Sequence, residues 1–116
     1  MDGFLLIDKA GAMTSHDVVA KVRKKLDTKK VGHAGTLDPM ATGVLVLGVG
    51  IATRLLPYIT DGKKAYLATI LLGAATHTDD KEGDITFTAD KSALANISDK
   101  EINDELGKFV GKIKQR

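Results

Sequence analysis

The sequence contains no cysteine and no tryptophan, only two prolines, and few aromatic residues, which make up 4% of its 116 residues. Without cysteine, disulfides and thiolate metal sites are excluded, and a reducing compartment is favoured. No apolar run approaches the roughly 20 residues that span a bilayer. The first residues, MDGFLLIDK, lack the basic region and long apolar stretch of a signal peptide. The sequence therefore predicts a soluble, cytoplasmic protein.

The composition is sufficient to form a core, because 43% of the residues are apolar and 28% are charged. The length is that of one ordinary domain. The net charge is only +2, but residues 1–64 hold ten basic and six acidic side chains, whereas residues 65–116 hold seven and nine. Most of the basic excess lies in one group, called here the basic cluster: Lys21, Arg23, Lys24, Lys25, Lys29 and Lys30. This cluster suits a polyanion such as nucleic acid, and a solvated helix face explains it about equally well.

Apolar spacing and turn residues predict an alternation of strands and helices. Strands are expected over residues 3–7, 44–49, 65–72 and 85–88, with a loop over 74–84. Thr14 or Ser15 caps a first helix, whose buried face carries Val18, Val19, Val22 and Leu26. A short helix over 52–59 is interrupted or ended near Pro57, and a capping box of Ser98 and Glu101 begins a last helix that continues through Ile102, Leu106, Phe109 and Val110. This order predicts an α+β or α/β arrangement.

The most informative segment is residues 32–43, GHAGTLDPMATG, whose glycines, proline and threonines predict a loop. Its one carboxylate is Asp38, and Pro39 pushes Asp38 toward extended geometry. Gly32, Gly35 and Gly43 permit unusual backbone conformations or close approach to a ligand. An ordered loop that aims one carboxylate is a candidate active site. A tight surface turn in which Asp38 is only a turn former is equally consistent with the spacing.

Other motifs are weaker. The Gly48–Gly50 pair lacks the third glycine of a dinucleotide-binding loop and the Lys-Ser/Thr of a P-loop. The acidic residues 79–84 lack EF-hand spacing, and the three histidines form no zinc pattern, so no metal is predicted. Tyr66, near the start of a predicted strand, is more simply explained by packing than by stacking on a base.

Three ordered blocks resemble one known family. GHAGTLDPMATGVLVLGVG resembles the signature of the TruB family of tRNA pseudouridine synthases, FLLIDKAGAMTSHDVVAKVRK its N-terminal motif, and KKAYLATILLGAATHTDDKEGD its third block. The resemblance implies an α+β fold with a mixed, mainly antiparallel sheet and flanking helices. It implies isomerisation of a T-loop uridine of tRNA, at position 55, to pseudouridine by base flipping, with no cofactor. The implied partner is the T-arm stem-loop of tRNA, bound by a monomer.

The resemblance also assigns roles to residues. Asp38 matches the catalytic aspartate, His33 a histidine that helps to hold the flipped nucleotide, and Tyr66 a tyrosine that stacks on the target base. Lys9 matches a lysine with a supporting role in substrate binding, and the basic cluster would contact the RNA backbone. The chain departs from the family pattern at Ala10, where proline is usual, and at Ala12, where glycine is usual.

The resemblance further implies that residues 1–116 are an N-terminal portion of the catalytic domain. The thumb, the rest of the sheet, an arginine that pairs with the catalytic aspartate and the C-terminal RNA-binding domain have no counterpart in this sequence. Three alternatives follow from the sequence: an active isomerase, an inactive fragment that binds RNA, and a fragment that needs its missing half to fold.

Overall fold

The first 65 residues form a three-stranded antiparallel sheet with one long helix packed against it. The structure, a computed structural model, describes residues 1–115. It divides the chain into two units, residues 1–65 and the residues from Tyr66 onward, and each unit is described by itself. The first unit comprises β1 (Gly3–Lys9), α1 (Ser15–Leu26), β2 (Val31–Ala34), β3 (Gly43–Val49), a 3₁₀ helix (Gly50–Leu55) and α2 (Leu56–Thr60).

The second unit has shorter elements. It comprises β4 (Ala74–Thr76), β5 (Ile85–Thr88), α3 (Lys91–Ala95) and α4 (Asp99–Gly107). β4 and β5 pair antiparallel, with an irregularity between Ala75 and Thr76. The predicted α+β class with mainly antiparallel strands is confirmed by both units.

β3 is the central strand of the first sheet, between β1 and β2. Its pairing with β1 runs from Gly3 opposite Val49 to Lys9 opposite Gly43. The buried core combines residues of α1, β2 and β3: Val18, Val19, Val31, Leu45, Leu47 and Val49. Burial of each such aliphatic side chain contributes roughly 1.5–3 kcal/mol before entropy is counted. This core fixes α1 across one face of the sheet.

The first helix begins at a complete capping box. The Thr14 hydroxyl accepts a hydrogen bond from the Asp17 backbone N–H at 3.0 Å, and the Asp17 carboxylate accepts one from the Thr14 N–H at 2.9 Å. Thr14 is therefore the cap, and Ser15 is the first helical residue. The helix ends where Asp27 adopts a left-handed conformation, with φ of 49°. The predicted inner face is confirmed, with Val18 and Val19 buried.

Two predicted boundaries are wrong around the segment of residues 32–43. Residues 32–34 belong to β2 and Gly43 begins β3, so the loop itself is residues 35–42. Gly32 fits a strand here because the Leu56 side chain packs closely over it: a Cβ at Gly32 would lie 3.1 Å from Leu56 Cδ1. Gly32 therefore indicates close packing of α2 on β2 and not a loop.

The strand predicted over residues 65–72 is also wrong. This segment has no regular secondary structure, and its side chains are exposed. The paired strand is β4, inside the predicted 74–84 loop. Alternating apolar residues become a strand only where a partner strand accepts and donates the ladder hydrogen bonds. Among residues 1–115, no strand pairs with this segment.

The helical predictions are partly confirmed. The helix predicted over 52–59 is interrupted just before Pro57, as expected: a 3₁₀ helix ends at Leu55 and α2 begins at Leu56. Pro57 lies in the first turn of α2, where its missing N–H is not needed. Ser98 caps α4 by accepting a hydrogen bond from the Glu101 N–H at 3.2 Å. This helix ends at Gly107 rather than continuing through Val110, and α3 was not predicted.

Candidate active site around Asp38

The Asp38 loop, residues 35–42, joins β2 to β3 at the end of the sheet where β1 also ends. Gly35 and Gly43 stand at the two ends of this connection with φ of 77° and 120°. Residues with a Cβ rarely adopt these values, so glycine is required at both points. The loop therefore leaves and rejoins the sheet through fixed backbone bends.

The backbone on both sides of Asp38 is held by hydrogen bonds. Three successive carbonyl oxygens each accept one: that of Leu37 from Ser15 Oγ at 3.3 Å, that of Asp38 from the Ala41 N–H at 2.9 Å, and that of Pro39 from Lys9 Nζ at 3.1 Å. The Leu37 N–H also donates to Ser15 Oγ at 3.0 Å. The position of Asp38 in the loop is consequently fixed by contacts to β1 and α1 as well as within the loop.

Lys9 is the residue that ties this region together. Its side chain is 1% exposed, at the end of β1. Its ammonium donates to the carbonyl oxygens of Ala10 at 2.8 Å, Met13 at 2.6 Å and Pro39 at 3.1 Å. A lysine ammonium has three donors, so each of them is used inside the protein. Lys9 is thus a structural link between β1, the segment before α1 and the Asp38 loop, and its role in substrate binding remains a prediction.

In contrast to its backbone, the Asp38 side chain is exposed. Within residues 1–115 its carboxylate makes no hydrogen bond and no salt bridge. The bond from the Ala41 N–H to the Asp38 carbonyl closes a β-turn in which Asp38 is the first residue and Pro39 the second. The predicted turn is therefore present and its carboxylate is accessible, and the catalytic role of Asp38 remains a prediction.

His33 and Tyr66 lie in different surroundings. His33 is on β2 opposite Leu47, half-buried, and in the described part of the chain its Nδ1 is buried without a hydrogen-bond partner. Tyr66 is the first residue of the second unit, lies outside any helix or strand and is 70% exposed. The structure thus connects Lys9 to the Asp38 loop through the Pro39 carbonyl, within the first unit, and the roles of Asp38, His33 and Tyr66 remain predictions.

The basic cluster follows the trailing end of α1 and the segment after it. All five lysines of the cluster are exposed. Arg23 is half-buried, and its Nη2 donates to the Val31 carbonyl at 2.9 Å, which attaches α1 to β2. The lysines are therefore the accessible charges of the cluster, and their place near the C-terminal end of α1 also complements the helix dipole.

Two side chains beside the loop could not be predicted from the sequence pattern. The sequence predicts Ser15 only as a possible helix cap, yet its hydroxyl hydrogen-bonds to the backbone of Leu37. Lys64 lies over Gly35, with its Nζ 3.8 Å from the position that a Cβ at Gly35 would occupy. The one feature of the sequence that could have drawn attention to Ser15 is that it is a second hydroxyl residue directly after a capping threonine. For Lys64 that feature is its position in the third block of the family resemblance.

Two carboxylates away from the loop have a shifted pKa. The pKa of Asp17 lies below its usual value because the Thr14 backbone N–H, and then the Thr14 hydroxyl, hydrogen-bond its charged form. The pKa of Asp80 is lowered by the Thr78 hydroxyl and the Glu82 backbone N–H. Both groups are structural: one caps α1 and the other orders the turn between β4 and β5.

Two other kinds of feature have no candidate in the described chain. Over residues 1–115, histidines and carboxylates nowhere gather in a group of three or more that would hold a metal ion. None of the helices found there is long and apolar enough to cross a membrane.

An accessible carboxylate on a fixed turn and exposed lysines on the same unit are features that a catalytic domain acting on a polyanion would have. Residues 23–116 match the family described as TruB family pseudouridylate synthase, N-terminal domain, and the chain belongs to this family. The family predicted from the three sequence blocks is thereby confirmed.

Two curated relatives agree with this assignment. The chain is 57% identical over 113 residues to tRNA pseudouridine synthase B of Leifsonia xyli subsp. xyli, covering 97% of this chain and 37% of the relative. It is 54% identical over 114 residues to the protein of the same name from Corynebacterium diphtheriae, covering 98% and 38%. A solved structure of an H/ACA RNP bound to a substrate RNA containing 2'-deoxyuridine includes a chain that is 45% identical, with a TM-score of 0.47, covering 48% of this chain and 18% of the other. The chain thus spans somewhat more than a third of the length of the curated relatives it matches.

Proposed function

We propose that this chain carries the catalytic aspartate of a tRNA pseudouridine synthase and that Asp38 acts on the T-loop uridine at position 55. The observation that carries the proposal is the exposed Asp38 carboxylate on a turn whose backbone is held on both sides. Similarity to relatives named tRNA pseudouridine synthase B supports the reaction class.

The proposed chemistry is an isomerisation that balances within the substrate. The bond between uracil N1 and ribose C1′ breaks, the base turns, and a bond forms between C5 and C1′. C5 then loses its proton and N1 gains one, so no oxidant, reductant or group donor is required. An ionised carboxylate such as Asp38 serves this sequence as a nucleophile or as a proton acceptor.

The target uridine lies in a folded RNA loop and must leave its stack before Asp38 reaches it. In the proposed complex Tyr66 stacks on the flipped base, a contact that is worth about 1–3 kcal/mol in comparable systems. His33 helps to hold the flipped nucleotide. The exposure of Tyr66 supports this role, since its ring is available to a ligand.

The proposed RNA surface is formed by the five exposed lysines of the basic cluster. Contacts of this kind bind phosphates and position the RNA without reading its sequence. They also make affinity depend on salt, because each neutralised phosphate releases counterions. The T-arm stem-loop of tRNA is the proposed partner, and the monomeric state and cytoplasmic location remain predictions.

Turnover is tested with a T-arm stem-loop whose uridines carry tritium at C5. Because the reaction replaces the C5 proton, product formation releases tritium into water. The wild-type chain should release it, and Asp38→Asn should release none above background while still binding RNA. Asp61→Asn removes an exposed carboxylate of the same unit and should match the wild type. Equal release by wild type and Asp38→Asn would contradict the role of Asp38.

A second candidate function is RNA binding without turnover, which the exposed lysines favour. It predicts salt-sensitive binding of the stem-loop with no tritium release from the wild type. Under either function, replacing Lys24 and Lys25 by alanine should reduce the slope of log affinity against log salt by about 0.7–0.9 for each phosphate that the variant no longer neutralises. Lys91→Ala, an exposed lysine of α3, is the matched control. An unchanged slope in the double variant would contradict the assigned surface.

A further inference from the structure

Ser15 joins the start of α1 to the residue that precedes Asp38. Its side chain is buried, with 2% of its surface exposed. Its hydroxyl oxygen accepts a hydrogen bond from the Leu37 N–H at 3.0 Å and donates to the Leu37 carbonyl at 3.3 Å. A polar group at this depth requires such partners. Ser15 is not needed as a helix cap, because Thr14 has that role.

These two bonds bear directly on Asp38. The Leu37 carbonyl belongs to the same rigid peptide plane as the backbone nitrogen of Asp38. The Leu37 N–H belongs to the preceding plane, so Ser15 holds both peptide groups of Leu37. The Leu37 side chain also packs against the core. With Pro39 restricting Asp38 from the other side, the direction of the Asp38 Cα–Cβ bond is determined.

Ser15 is itself well anchored. The capping box of Thr14 and Asp17 fixes the first turn of α1 through bonds of 3.0 and 2.9 Å. Val18 and Val19, in the next turn of the helix, are buried in the core. The serine hydroxyl therefore connects the Asp38 loop to a rigid element rather than to another loop.

We infer that Ser15 is a positioning residue that sets the orientation of Asp38 through the backbone of Leu37. The catalytic part of this inference rests on the proposed function of Asp38, while the orientation of the backbone does not. Small misplacement of a reacting group lowers rate strongly, by up to about a hundredfold for roughly 1 Å. Loss of the Ser15 hydroxyl should therefore affect the chemical step rather than RNA affinity.

The structural arm of the test compares Ser15→Ala with Thr60→Ala by NMR of the full chain. Thr60→Ala removes a hydroxyl hydrogen bond of the same unit, the one that Thr60 donates to the Leu56 carbonyl at 3.1 Å in α2. In Ser15→Ala the Leu37 amide should exchange with solvent at least about tenfold faster, and the three-bond HN–Hα coupling of Asp38 should move toward the averaged value of a flexible loop. Thr60→Ala should leave both unchanged. If the Asp38 coupling is the same in Ser15→Ala as in wild type, the inference is overturned.

The functional arm measures single-turnover tritium release at saturating stem-loop, together with the dissociation constant. Ser15→Ala should lower the rate about ten- to a hundredfold with the dissociation constant unchanged, and Thr60→Ala should keep the wild-type rate. An unchanged rate in Ser15→Ala would overturn the positioning role even if the NMR signals moved. If the wild type shows no turnover, the proposed function fails for this chain and the NMR arm alone decides the inference. Ser15→Cys, which keeps the side-chain size but is only a weak donor and acceptor, replaces Ser15→Ala if that variant does not fold.

Discussion

The link made by Lys9 predicts that a polar side chain in the core is a main stabiliser of the Asp38 loop. The informative perturbation is Lys9→Met, which keeps an unbranched apolar stem of similar length and removes the ammonium. The variant cannot form the three hydrogen bonds to the carbonyl oxygens of Ala10, Met13 and Pro39. Because methionine is no larger than lysine, any loss of stability in the variant reports the lost hydrogen bonds and not a steric clash.

The magnitude follows from two opposing contributions. Hydrogen bonds from a charged donor contribute about 1.5–3 kcal/mol each, which amounts to roughly 4.5–9 kcal/mol for three. The variant no longer has a buried ammonium, whose desolvation costs several kcal/mol. Ala10 and Pro39 are exposed residues, so water can hydrogen-bond their carbonyl groups in place of the ammonium. We expect Lys9→Met to lower the free energy of unfolding of the first unit by about 2–3 kcal/mol.

The assay is native-state amide exchange at the slowest amides of β3, which reports the opening of the first unit alone. Lys63→Met, at an exposed lysine of the same unit, is the matched control and should change stability by less than about 0.5 kcal/mol. The reasoning is refuted if Lys9→Met is as stable as Lys63→Met. It is also refuted if the amide of Ala41, which closes the turn, keeps its wild-type exchange rate in Lys9→Met.

Three further predictions concern stability. Leu47→Ala, at a fully buried position of the central strand, should lower the free energy of unfolding by about 2–5 kcal/mol in urea denaturation, because it leaves a cavity. Asp17→Asn should be less stable than wild type by a constant amount at neutral pH. Folding lowers the pKa of Asp17 from its ordinary 3.8. The difference in stability between wild type and Asp17→Asn should therefore shrink as pH falls through about 4 and vanish once the carboxyl is protonated in both the folded and the unfolded state. A difference in stability that persists at lower pH would contradict the capping role. Ala12 has a left-handed backbone with φ of 58°. Ala12→Gly should raise the free energy of unfolding by about 0.5–1 kcal/mol, because relief of left-handed strain exceeds the cost of the added entropy of the unfolded chain. A thermal scan that shows lower stability for the variant would contradict this.

The elements predicted well from sequence are those whose signals are local. The capped, amphipathic α1 and the aliphatic β3 agree with the structure because caps and apolar periodicity act within one element. The errors depend on tertiary contacts. Gly32 lies in a strand because it pairs with Gly48 of β3, and glycine fits there because Leu56 packs over it. Residues 65–72 are not a strand because no described strand pairs with them. Neither fact is contained in a local pattern.

The candidate site divides in the same way. The loop and Asp38 are predictable from composition and family resemblance, because glycines and an Asp-Pro pair are visible along the chain. The contacts that hold the loop are not, because Lys9 and Ser15 reach Pro39 and Leu37 across 30 and 22 positions. The family departure at Ala12 gains a physical meaning only from the structure. Its backbone is left-handed, which explains why glycine suits that position.

The way the turn is held explains how Asp38 can be a turn residue and still have an accessible carboxylate for its proposed role. In many turns an aspartate stabilises the bend with its own carboxylate, which accepts a backbone N–H two residues on. A carboxylate used in that way is occupied and partly neutralised. Here the bonds that fix the turn come from Ser15, from Lys9 and from the Ala41 N–H. Two buried polar side chains thus stabilise the turn in place of the Asp38 carboxylate, whose oxygens have no partner within residues 1–115 and are available for the proposed reaction.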